Sequence, residues 1–392
     1  MVRVIFLGLM FSPESLEEAY SASKCGVQMA PHLFQQRLTD GLSFIENVQT
    51  HIVNVPPVGS FPMNYKKLYI KGMQWDGNTQ IGYWNIPGLK WGLQKRKIVK
   101  TVRQILRNQP QNEECCLIVY HLHEPFLDVI GRLKKEFTNL HTTLIQTDAI
   151  PGRGDMMNSR KMEILGNRLV KKAKVVDSFA LLTHSMRGPL EIGERPFVIT
   201  ECICDPDQPW SARKETSDNI FLYSGTTEAI FGIRDIVDAI KEIPNAQLWI
   251  CGAGDSDDYI KETAKTHKNI RHFGYVDQKR LSELRNQCDF LINPRRPTGT
   301  YTKYSFPSKT AEYMMSGKPV VMYKLEGVPD EYDPYLNYLT AETAQEIKQQ
   351  IQMLIQSDYA ALAAKAVAAR AFMQENKNAC KQARKIVEMI LA

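Results

Sequence analysis

The sequence lacks three features that would assign it to common protein classes. Its eight cysteines include no Cys-x-x-Cys pair, which excludes zinc-ribbon and thioredoxin-type sites. No apolar run approaches the roughly 20 residues of a membrane span. The formal net charge of +6 over 392 residues is too small and too dispersed to indicate nucleic-acid binding, although it suits contact with phosphates or an anionic membrane surface.

Internal repeats and low-complexity segments are also missing. A chain of this length exceeds one ordinary core, so two domains are expected. Several cysteines lie in apolar runs, as Cys116 does in CLIVY, which is typical of buried, reduced thiols in a cytoplasmic protein. The apolar start, VRVIFLG, is followed by acidic residues without a cleavage site, and we interpret it as a first buried strand.

Short apolar runs alternate with amphipathic helical segments along most of the chain. The predicted strands cover residues 2–8, 51–55, 116–122, 142–148, 178–184, 196–200, 220–225, 247–252, 270–274, 289–294 and 318–323. The predicted helices include 29–42, 231–243, 277–288, 307–317 and most of the chain after 343. Unbroken apolar strands between helices predict α/β domains with parallel sheets covered on both faces.

This alternation breaks at residues 195–219, which contain three prolines and many charges. We therefore predict an N-terminal domain over 1–199, a linker over 200–217, a C-terminal domain over 218–370 and a last helix over 371–392. In doubly wound sheets, ligands bind beyond the carboxyl ends of the strands, so the loops at those ends are candidate binding sites.

Two such loops, SGTTEAIFG (224–232) and CGAGDSDD (251–258), contain glycines that would let the backbone approach a ligand closely. Gly252 and Gly254 are explained equally by a tight strand-to-helix turn. Asp255 and Asp257 open the next predicted helix, so we interpret them as helix caps rather than metal ligands.

The segment YTKYSFPSKTAEYMMSGKPVVMYKLEG (301–327) is the most specific one in the chain. It predicts a helix that begins near Pro307 and ends at Gly317. The free first-turn amides of Ser308 and Lys309, together with the Lys309 ammonium, favour a bound diphosphate. Glu312, one turn further on, would suit ribose hydroxyls.

In its C-terminal half the sequence resembles the glycosyl transferases group 1, a large family of retaining GT-B glycosyltransferases. The resemblance rests on four segments in order: SGTTEAIFGI, LWICGAGD, NIRHFGYVDQKRLSELRNQCDFLINP and SFPSKTAEYMMSGKPVV. In the N-terminal half, SKCGVQMAPHLFQQRLTDGL resembles bacterial polysaccharide-type members. The resemblance implies two Rossmann-like α/β domains facing a central cleft, with the acceptor on the N-terminal domain, the donor on the C-terminal domain and a C-terminal helix that crosses back.

The resemblance also implies residue roles, with two departures. The second glutamate of the family's E-x7-E motif falls on Glu312, where it should hold the donor ribose, but the first falls on Tyr304. The Arg and Lys of the family's G-R-x-x-x-x-K-G loop fall on Thr226 and Phe231. We hypothesise that Lys309, with Arg295 or Arg296, supplies the missing charge.

Two sets of site residues are predicted on these grounds. The donor-binding set is Gly8, Ser224, Gly225, Thr226, Gly252, Gly254, Tyr275, Val276, Arg295, Ser305, Phe306, Ser308, Lys309 and Glu312. The catalytic set is Asp148, His123, Glu124 and Tyr304, with His121 in the same region. A carboxylate such as Asp148 would orient the acceptor or stabilise an oxocarbenium-like transition state.

The activity implied by the resemblance is retaining transfer of a sugar from a nucleotide-diphosphate sugar, with UDP expected, to a saccharide or lipid-linked acceptor, as in polysaccharide biosynthesis. No cofactor and no essential metal are expected, because helix N-termini and cations would stabilise the leaving diphosphate. The basic amphipathic segment 90–109 either packs on the N-terminal domain or lies on an anionic membrane. The expected location is the cytoplasm, with peripheral contact at the inner membrane face as an option.

Two alternatives remain open. Loss of the first glutamate and of both basic loop residues would suit an inactive GT-B protein that acts as a partner subunit. A nucleotide-sugar 2-epimerase uses the same scaffold, and the His121, His123 and Asp148 side chains are compatible with it.

Overall fold

The computed structural model describes residues 1–108, 114–153, 159–208, 210 and 218–392. They form two compact units. The first unit comprises Met1–Ile203 and Ala379–Ala392, and the second comprises Cys204–Asn378. Much of the predicted linker, namely residues 209 and 211–217, lies outside the described residues.

The first unit is an α/β unit built on one large sheet and a small two-stranded sheet. Its strands are β1 (Val2–Gly8), β2 (Val48–Asn54), β3 (Tyr69–Ile70), β4 (Met73–Trp75), β5 (Asn78–Gln80), β6 (Tyr83–Trp84), β7 (Glu114–Tyr120), β8 (His141–Gln146), β9 (Ser178–Leu181) and β10 (Phe197–Ile199). Its helices up to Ile203 are α1 (Pro13–Ala22), α2 (Met29–Ser43), α3 (Lys90–Arg107), α4 (Glu124–Leu133) and α5 (Arg160–Lys172).

Within the described residues the large sheet has the order β10-β9-β8-β7-β1-β2-β5-β4. Its strand pairs are parallel except for β4 with β5. The run from Val4 to Leu7 in β1 is fully buried, as expected for a central strand of a covered parallel sheet. The chain builds one side of the sheet from β2 and the other from β7, so the topological switch point lies between the carboxyl ends of β1 and β7.

The second unit is a second α/β unit. Its strands are β11 (Ile220–Ser224), β12 (Gln247–Cys251), β13 (Ile270–Gly274), β14 (Phe290–Asn293), β15 (Val320–Tyr323) and β16 (Asn337–Leu339). Its helices are α6 (Ile233–Lys241), α7 (Asp257–Thr266), α8 (Gln278–Gln287), α9 (Ser308–Met315), α10 (Ala344–Gln356) and α11 (Tyr359–Asn376).

Its sheet has the order β13-β12-β11-β14-β15-β16 over the described chain, and these neighbours pair in parallel. This is the doubly wound order of a dinucleotide-binding fold. The chain turns from one side of the sheet to the other between β11 and β14. The loops that follow these two strands therefore flank the switch point where such folds bind ligands.

The last helix, α12 (Ala379–Leu391), belongs to the first unit and packs against α2. Ala383 and Ile386 join Leu38 and Leu42 in one buried cluster. Gly41 permits this contact, because a Cβ there would lie 2.2 Å from the Ala379 carbonyl oxygen.

The predicted last helix differs from α12 at its start. Its first residues, up to Asn376, belong to α11 and to the second unit. The helix-forming composition continues through the break without a glycine or a proline, so the sequence carried no strong stop signal there.

Each of the eleven predicted strands is present, with ends that differ by a few residues. The sequence did not indicate β3 to β6 or β16. These strands have only two or three residues each, which is too short for a hydrophobic period to register.

The basic amphipathic segment forms α3, and its apolar stripe faces the interior of the first unit. Ile98, Val99 and Val102 on that stripe are buried. The packed-helix interpretation is therefore confirmed, and this apolar face cannot lie on a bilayer in the folded unit. No helix in the described part of the chain is long and apolar enough to span a membrane.

Candidate functional site

The candidate donor site of the second unit lies at the switch point between β11 and β14. The loops after these strands pack directly on each other at Gly232, which ends a short 3-10 turn with a φ of 78°. A Cβ on Gly232 would lie 2.6 Å from the Pro294 carbonyl oxygen. This close approach brings Phe231, just before the glycine, next to Arg295, just after the proline.

Arg295 is a cation held by aromatic rings. Its guanidinium carbon lies 4.9 Å from the ring centre of Phe231 and 4.9 Å from that of Tyr301. Its Nε is buried without a hydrogen-bond partner, and so is the Tyr301 hydroxyl. Among the described residues no carboxylate pairs with Arg295. The site thus holds a half-buried positive charge that the rings position and that no carboxylate in the described part of the chain neutralises.

The other two cations that the sequence offered are already paired. Arg296 lies 2.9 Å from an Asp235 carboxylate oxygen. Lys309 Nζ lies 2.7 Å from Glu312 Oε2. Of the three candidates for the missing phosphate-loop charge, Arg295 is therefore the one without an acidic partner among the described residues.

Glu312 is held between two cations. Arg285 pairs with one carboxylate oxygen and Lys309 with the other. Burial alone would raise the pKa of Glu312, but the charges of Lys309 and Arg285 outweigh it and keep the pKa below its ordinary value. The carboxylate is therefore ionised and oriented, and its remaining lone pairs can accept hydroxyl donors.

Sequence reasoning missed Arg285. It lies in α8 beside Leu281 and Leu284, on the buried face of that helix, and it is 8% exposed. An arginine on the apolar stripe of an amphipathic helix is a signal that a buried acid lies opposite. The spacing from Leu281 was visible in the sequence, but the partner Glu312 was not.

The N-terminus of α9 is open to a ligand. The helix begins at Ser308, its cap residue Pro307 makes no side-chain capping bond, and no acid occupies its first turn. Ser308 is exposed. First-turn amides at an uncapped N-terminus are the groups that bind phosphate.

The residues before α9 have different surroundings. Phe306 is buried and its ring packs against Tyr332. The Ser305 hydroxyl is buried without a partner. Tyr304 ends a 3-10 turn and is half-buried.

The glycines of the loops after β11 and β12 have a packing role. A Cβ on Gly252 would lie 1.8 Å from the Gly225 carbonyl oxygen, and one on Gly254 would lie 2.6 Å from the Thr227 carbonyl carbon. Gly252 also has a φ of 138°, which favours glycine. The tight-turn explanation therefore accounts for both glycines.

Asp255 and Asp257 hold the loop after β11. Asp255 accepts a hydrogen bond from the Ala229 amide at 2.8 Å, and Asp257 accepts one from the Gly254 amide at 3.1 Å. These carboxylates occupy amides that an anion would otherwise use. Across the described residues, no three His, Cys, Asp or Glu side chains cluster so as to hold a metal ion.

The remaining residues predicted in this part of the donor site differ in exposure. Ser224 is buried, and its amide donates to the Tyr313 hydroxyl at 2.9 Å. Thr226 is exposed. Tyr275 follows Gly274 at the carboxyl end of β13 and is 88% exposed, with Val276 half-buried beside it. An exposed aromatic ring at the carboxyl end of a strand is suited to stacking on a planar ligand.

In the first unit, the loop after β1 is held by buried side chains. The amide of Leu9 donates to Gln35 at 2.8 Å, and that of Met10 donates to Asn54 at 3.0 Å. The next amide, of Phe11, donates to His32. These bonds use the first three amides after Gly8, which are then not available to a phosphate, so the geometry does not support Gly8 as a donor-binding residue.

His121 and Asp148 meet at the carboxyl ends of β7 and β8. His121 Nε2 lies 3.5 Å from an Asp148 carboxylate oxygen, and His121 has a φ of 65°, which is rare outside glycine. The hydrogen bond from His121 holds the pKa of Asp148 below its ordinary value. Asp148 is exposed, so an ionised carboxylate faces solvent at this edge of the sheet.

His123 and Glu124 are less available than the sequence suggested. Burial, with the nearby charges of His121 and Lys90, lowers the pKa of His123 to about 3, so its ring is neutral. Glu124 opens α4 and pairs with Arg168 at 2.8 Å and Lys172 at 2.9 Å. Through these ion pairs, Glu124 helps to hold α5 against α4.

Residues 218–357 match the family model described as Glycosyl transferases group 1. The match contains Arg295, Lys309 and Glu312, and no curated protein sequence matches the chain. Many solved structures have a similar fold. The chain is similar to the Anabaena protein HepE in complex with UDP, with 13% identity, a TM-score of 0.61 and full coverage of both chains.

Two further structures support the same architecture. Sucrose-phosphate synthase from Thermosynechococcus elongatus is 12% identical, covers 99% of this chain and 98% of its own, and gives a TM-score of 0.62. The trehalose 6-phosphate synthase from Burkholderia multivorans is 9% identical and gives a TM-score of 0.64. The match covers 100% of this chain and 96% of the synthase chain. The chain has the GT-B fold, and its residues 218–357 match the glycosyl transferases group 1.

The predicted site residues lie in two separate units of the chain. Asp148, His123 and Glu124 lie in the first unit, and Tyr304 lies in the second with the donor-binding set apart from Gly8. The family match covers the second unit's switch point, where Arg295, the Glu312 cluster and the α9 N-terminus lie.

Proposed function

We propose that this protein is a glycosyltransferase, and that it transfers a sugar from a nucleotide-diphosphate sugar to a hydroxylated acceptor with retention of the anomeric configuration. The observation that carries the proposal is the unpaired Arg295 at the switch point of the second unit. A half-buried cation without a protein anion is stabilised best when a bound anion completes it. The uncapped α9 N-terminus in the same unit offers amides to the same kind of ligand.

The diphosphate of the donor would provide that anion. Charge develops on the diphosphate as the bond to the sugar breaks, and a fixed guanidinium with helix amides would stabilise it without an essential metal. Arg295 would act in place of the two basic residues that the loop after β11 lacks. Lys309 would contribute mainly by orienting Glu312, because the two side chains are paired.

We further propose that the nucleotide is UDP. Glu312, oriented by Arg285 and Lys309, would accept the ribose hydroxyls. Tyr275 would stack on the base, which suits its 88% exposure. The similar protein HepE was crystallised with UDP and also with UDP and glucose, which supports this choice of nucleotide.

On the first unit, Asp148 with His121 would orient the acceptor or stabilise the positive sugar ring. Tyr304, in place of the family's first glutamate, would hydrogen-bond the transferred sugar. We propose a saccharide or lipid-linked acceptor, a role in polysaccharide biosynthesis and a cytoplasmic location. Any peripheral contact with an anionic membrane would use a surface other than the buried stripe of α3.

The test is a thermal-shift titration of the full-length protein with UDP, GDP, dTDP and ADP. A ligand that binds only the native state raises the melting temperature by mass action. We expect UDP to stabilise the wild type and to lose most of this effect in Glu312→Gln, with or without a chelator present. Equal stabilisation of the variant would remove Glu312 from the site, and no stabilisation by any of the four nucleotides would refute the donor proposal.

A further inference from the structure

A small cavity of about 120 Å³ lies in the first unit, apart from the residues so far assigned to the donor. Leu9 after β1, Val55 and Pro56 after β2, and His123 after β7 line it together with α3. It therefore opens at the carboxyl ends of three neighbouring parallel strands, beside the switch point of this unit.

Gln94 lines the cavity with an unsatisfied acceptor. This residue of α3 is 4% exposed, and its Oε1 has no hydrogen-bond partner. Tyr83 lines the cavity beside it, and the Tyr83 hydroxyl donates to the Pro56 carbonyl at 3.2 Å. Because the Tyr83 proton is already used there, Tyr83 does not donate to Gln94, and the Gln94 Oε1 stays available for a ligand donor.

Lys90 lines the same cavity with an uncompensated charge. It lies one helical turn before Gln94, on the same face of α3. Its ammonium donates to the Val58 carbonyl at 3.3 Å, and no carboxylate pairs with it among the described residues. The first turn of α3 contains no acid and its cap makes no side-chain bond, so the positive end of the helix adds to this charge.

The other walls are apolar or neutral. The ring of His123 packs edge-on against Trp91, with centroids 5.8 Å apart, and its Nε2 is buried without a partner. Prolines 56 and 57 and Val58 complete the apolar surface. Together the walls offer one cation, one hydroxyl acceptor, an imidazole nitrogen and an aromatic edge.

We propose that this cavity binds a hydroxylated anion, namely an acidic sugar whose carboxylate or phosphate pairs with Lys90 and whose hydroxyl donates to Gln94. The binding itself requires only the first unit. Its role as the acceptor site rests on the proposed transfer reaction, and it would make the acceptor terminus an acidic saccharide.

The experiment measures dissociation constants by ligand-observed NMR on the full-length protein with three probes: glucuronate, glucose 6-phosphate and glucose. We expect one or both acidic sugars to bind the wild type at least about tenfold more tightly than glucose, because a charge-assisted hydrogen bond is lost with the neutral probe. Lys90→Gln should abolish this preference. Lys100→Gln, at an exposed position of the same helix, is the matched control and should keep it.

A second variant guards against misfolding. Gln94→Glu places a carboxylate one turn from Lys90, so it should abolish binding of the acidic probes without lowering the unfolding midpoint. Binding of glucuronate alone identifies a carboxylate as the recognised group, and binding of glucose 6-phosphate alone identifies a phosphate. Either result supports the inference. Three results would overturn the inference. They are equal affinity of the wild type for glucose and the acidic sugars, an unchanged preference for acidic sugars in Lys90→Gln, and no binding of any probe at tens of millimolar. UDP titration of the same samples separates this failure from failure of the donor proposal.

Discussion

At the scale of single residues, the candidate donor site has a cation at a different position from the one that the resembled family uses. The loop after β11 has Phe231 where the resembled family has a lysine, and that ring lies 4.9 Å from the Arg295 guanidinium carbon. A cation–π contact of this kind contributes about 0.5–2 kcal/mol, depending on how far the pair is desolvated. The substitution therefore removes a charge from one loop and helps to fix a charge from its neighbour.

The sequence could predict which residues are candidates for the site, but it could not predict how their side chains pair. Lys309, Arg295 and Arg296 were all visible as candidate cations, but only the pairs with Glu312 and Asp235 separate them. Such pairs depend on long-range packing, which no local pattern encodes. For the same reason, the sequence could not predict the role of Arg285 or the buried hydrogen bonds that hold the loop after Gly8.

His123 gives a prediction for pH dependence. Its pKa is lowered by burial from 6.5 to about 3, so between these values the unfolded chain binds a proton that the folded protein does not. The free energy of unfolding should therefore fall as pH drops below about 6.5, by up to roughly 1.4 kcal/mol per pH unit from this residue. In urea titrations from pH 7.5 to 5, His123→Gln should lose less stability than the wild type. Parallel pH profiles would contradict the buried, neutral state of His123.

At the scale of elements, the strands were the most predictable part of the molecule. Buried parallel strands are continuous apolar runs, and β1 and β11 to β15 all lie within the predicted runs or within a few residues of them. The short strands β3 to β6 and the break between α11 and α12 were not predictable. Their formation depends on contacts with other elements rather than on a period of their own.

The loops after β11 and β12 pack on each other, because Gly252 and Gly254 of the second loop fit closely against the backbone of the first. Gly252→Ala would force a Cβ to 1.8 Å from the Gly225 carbonyl oxygen, at a φ of 138°. We expect it to lower the free energy of unfolding by about 3 kcal/mol in chemical denaturation. Gly274→Ala is the matched control, since its φ of 65° is also positive but its Cβ would meet open space. Its cost should be about 1 kcal/mol. Equal costs for the two variants would show that backbone conformation, rather than the loop contact, sets the requirement.

At the scale of the whole molecule, alternation of apolar strands and helices was sufficient to predict two α/β units, whereas the GT-B class was implied by the resemblance of the C-terminal half to the glycosyl transferases group 1. The doubly wound order of the second unit, with β11 next to β14, then indicates a candidate ligand site at the loops after these two strands. The sequence could not state the strand order itself. The switch point, and with it the choice of Arg295, required the structure.

Arg295 is the residue on which the proposed donor site depends most directly. Calorimetric titration of UDP into the wild type, Arg295→Ala and Arg296→Ala tests this, with Arg296 as control because Asp235 already neutralises it. We expect Arg295→Ala to weaken UDP binding by roughly 10- to 100-fold and Arg296→Ala to leave it nearly unchanged. Adding Phe231→Lys to Arg295→Ala should restore part of the affinity, since it returns a cation to the neighbouring loop. Wild-type affinity for UDP in Arg295→Ala, or no UDP binding by the wild type, would contradict the proposal that Arg295 binds the donor diphosphate.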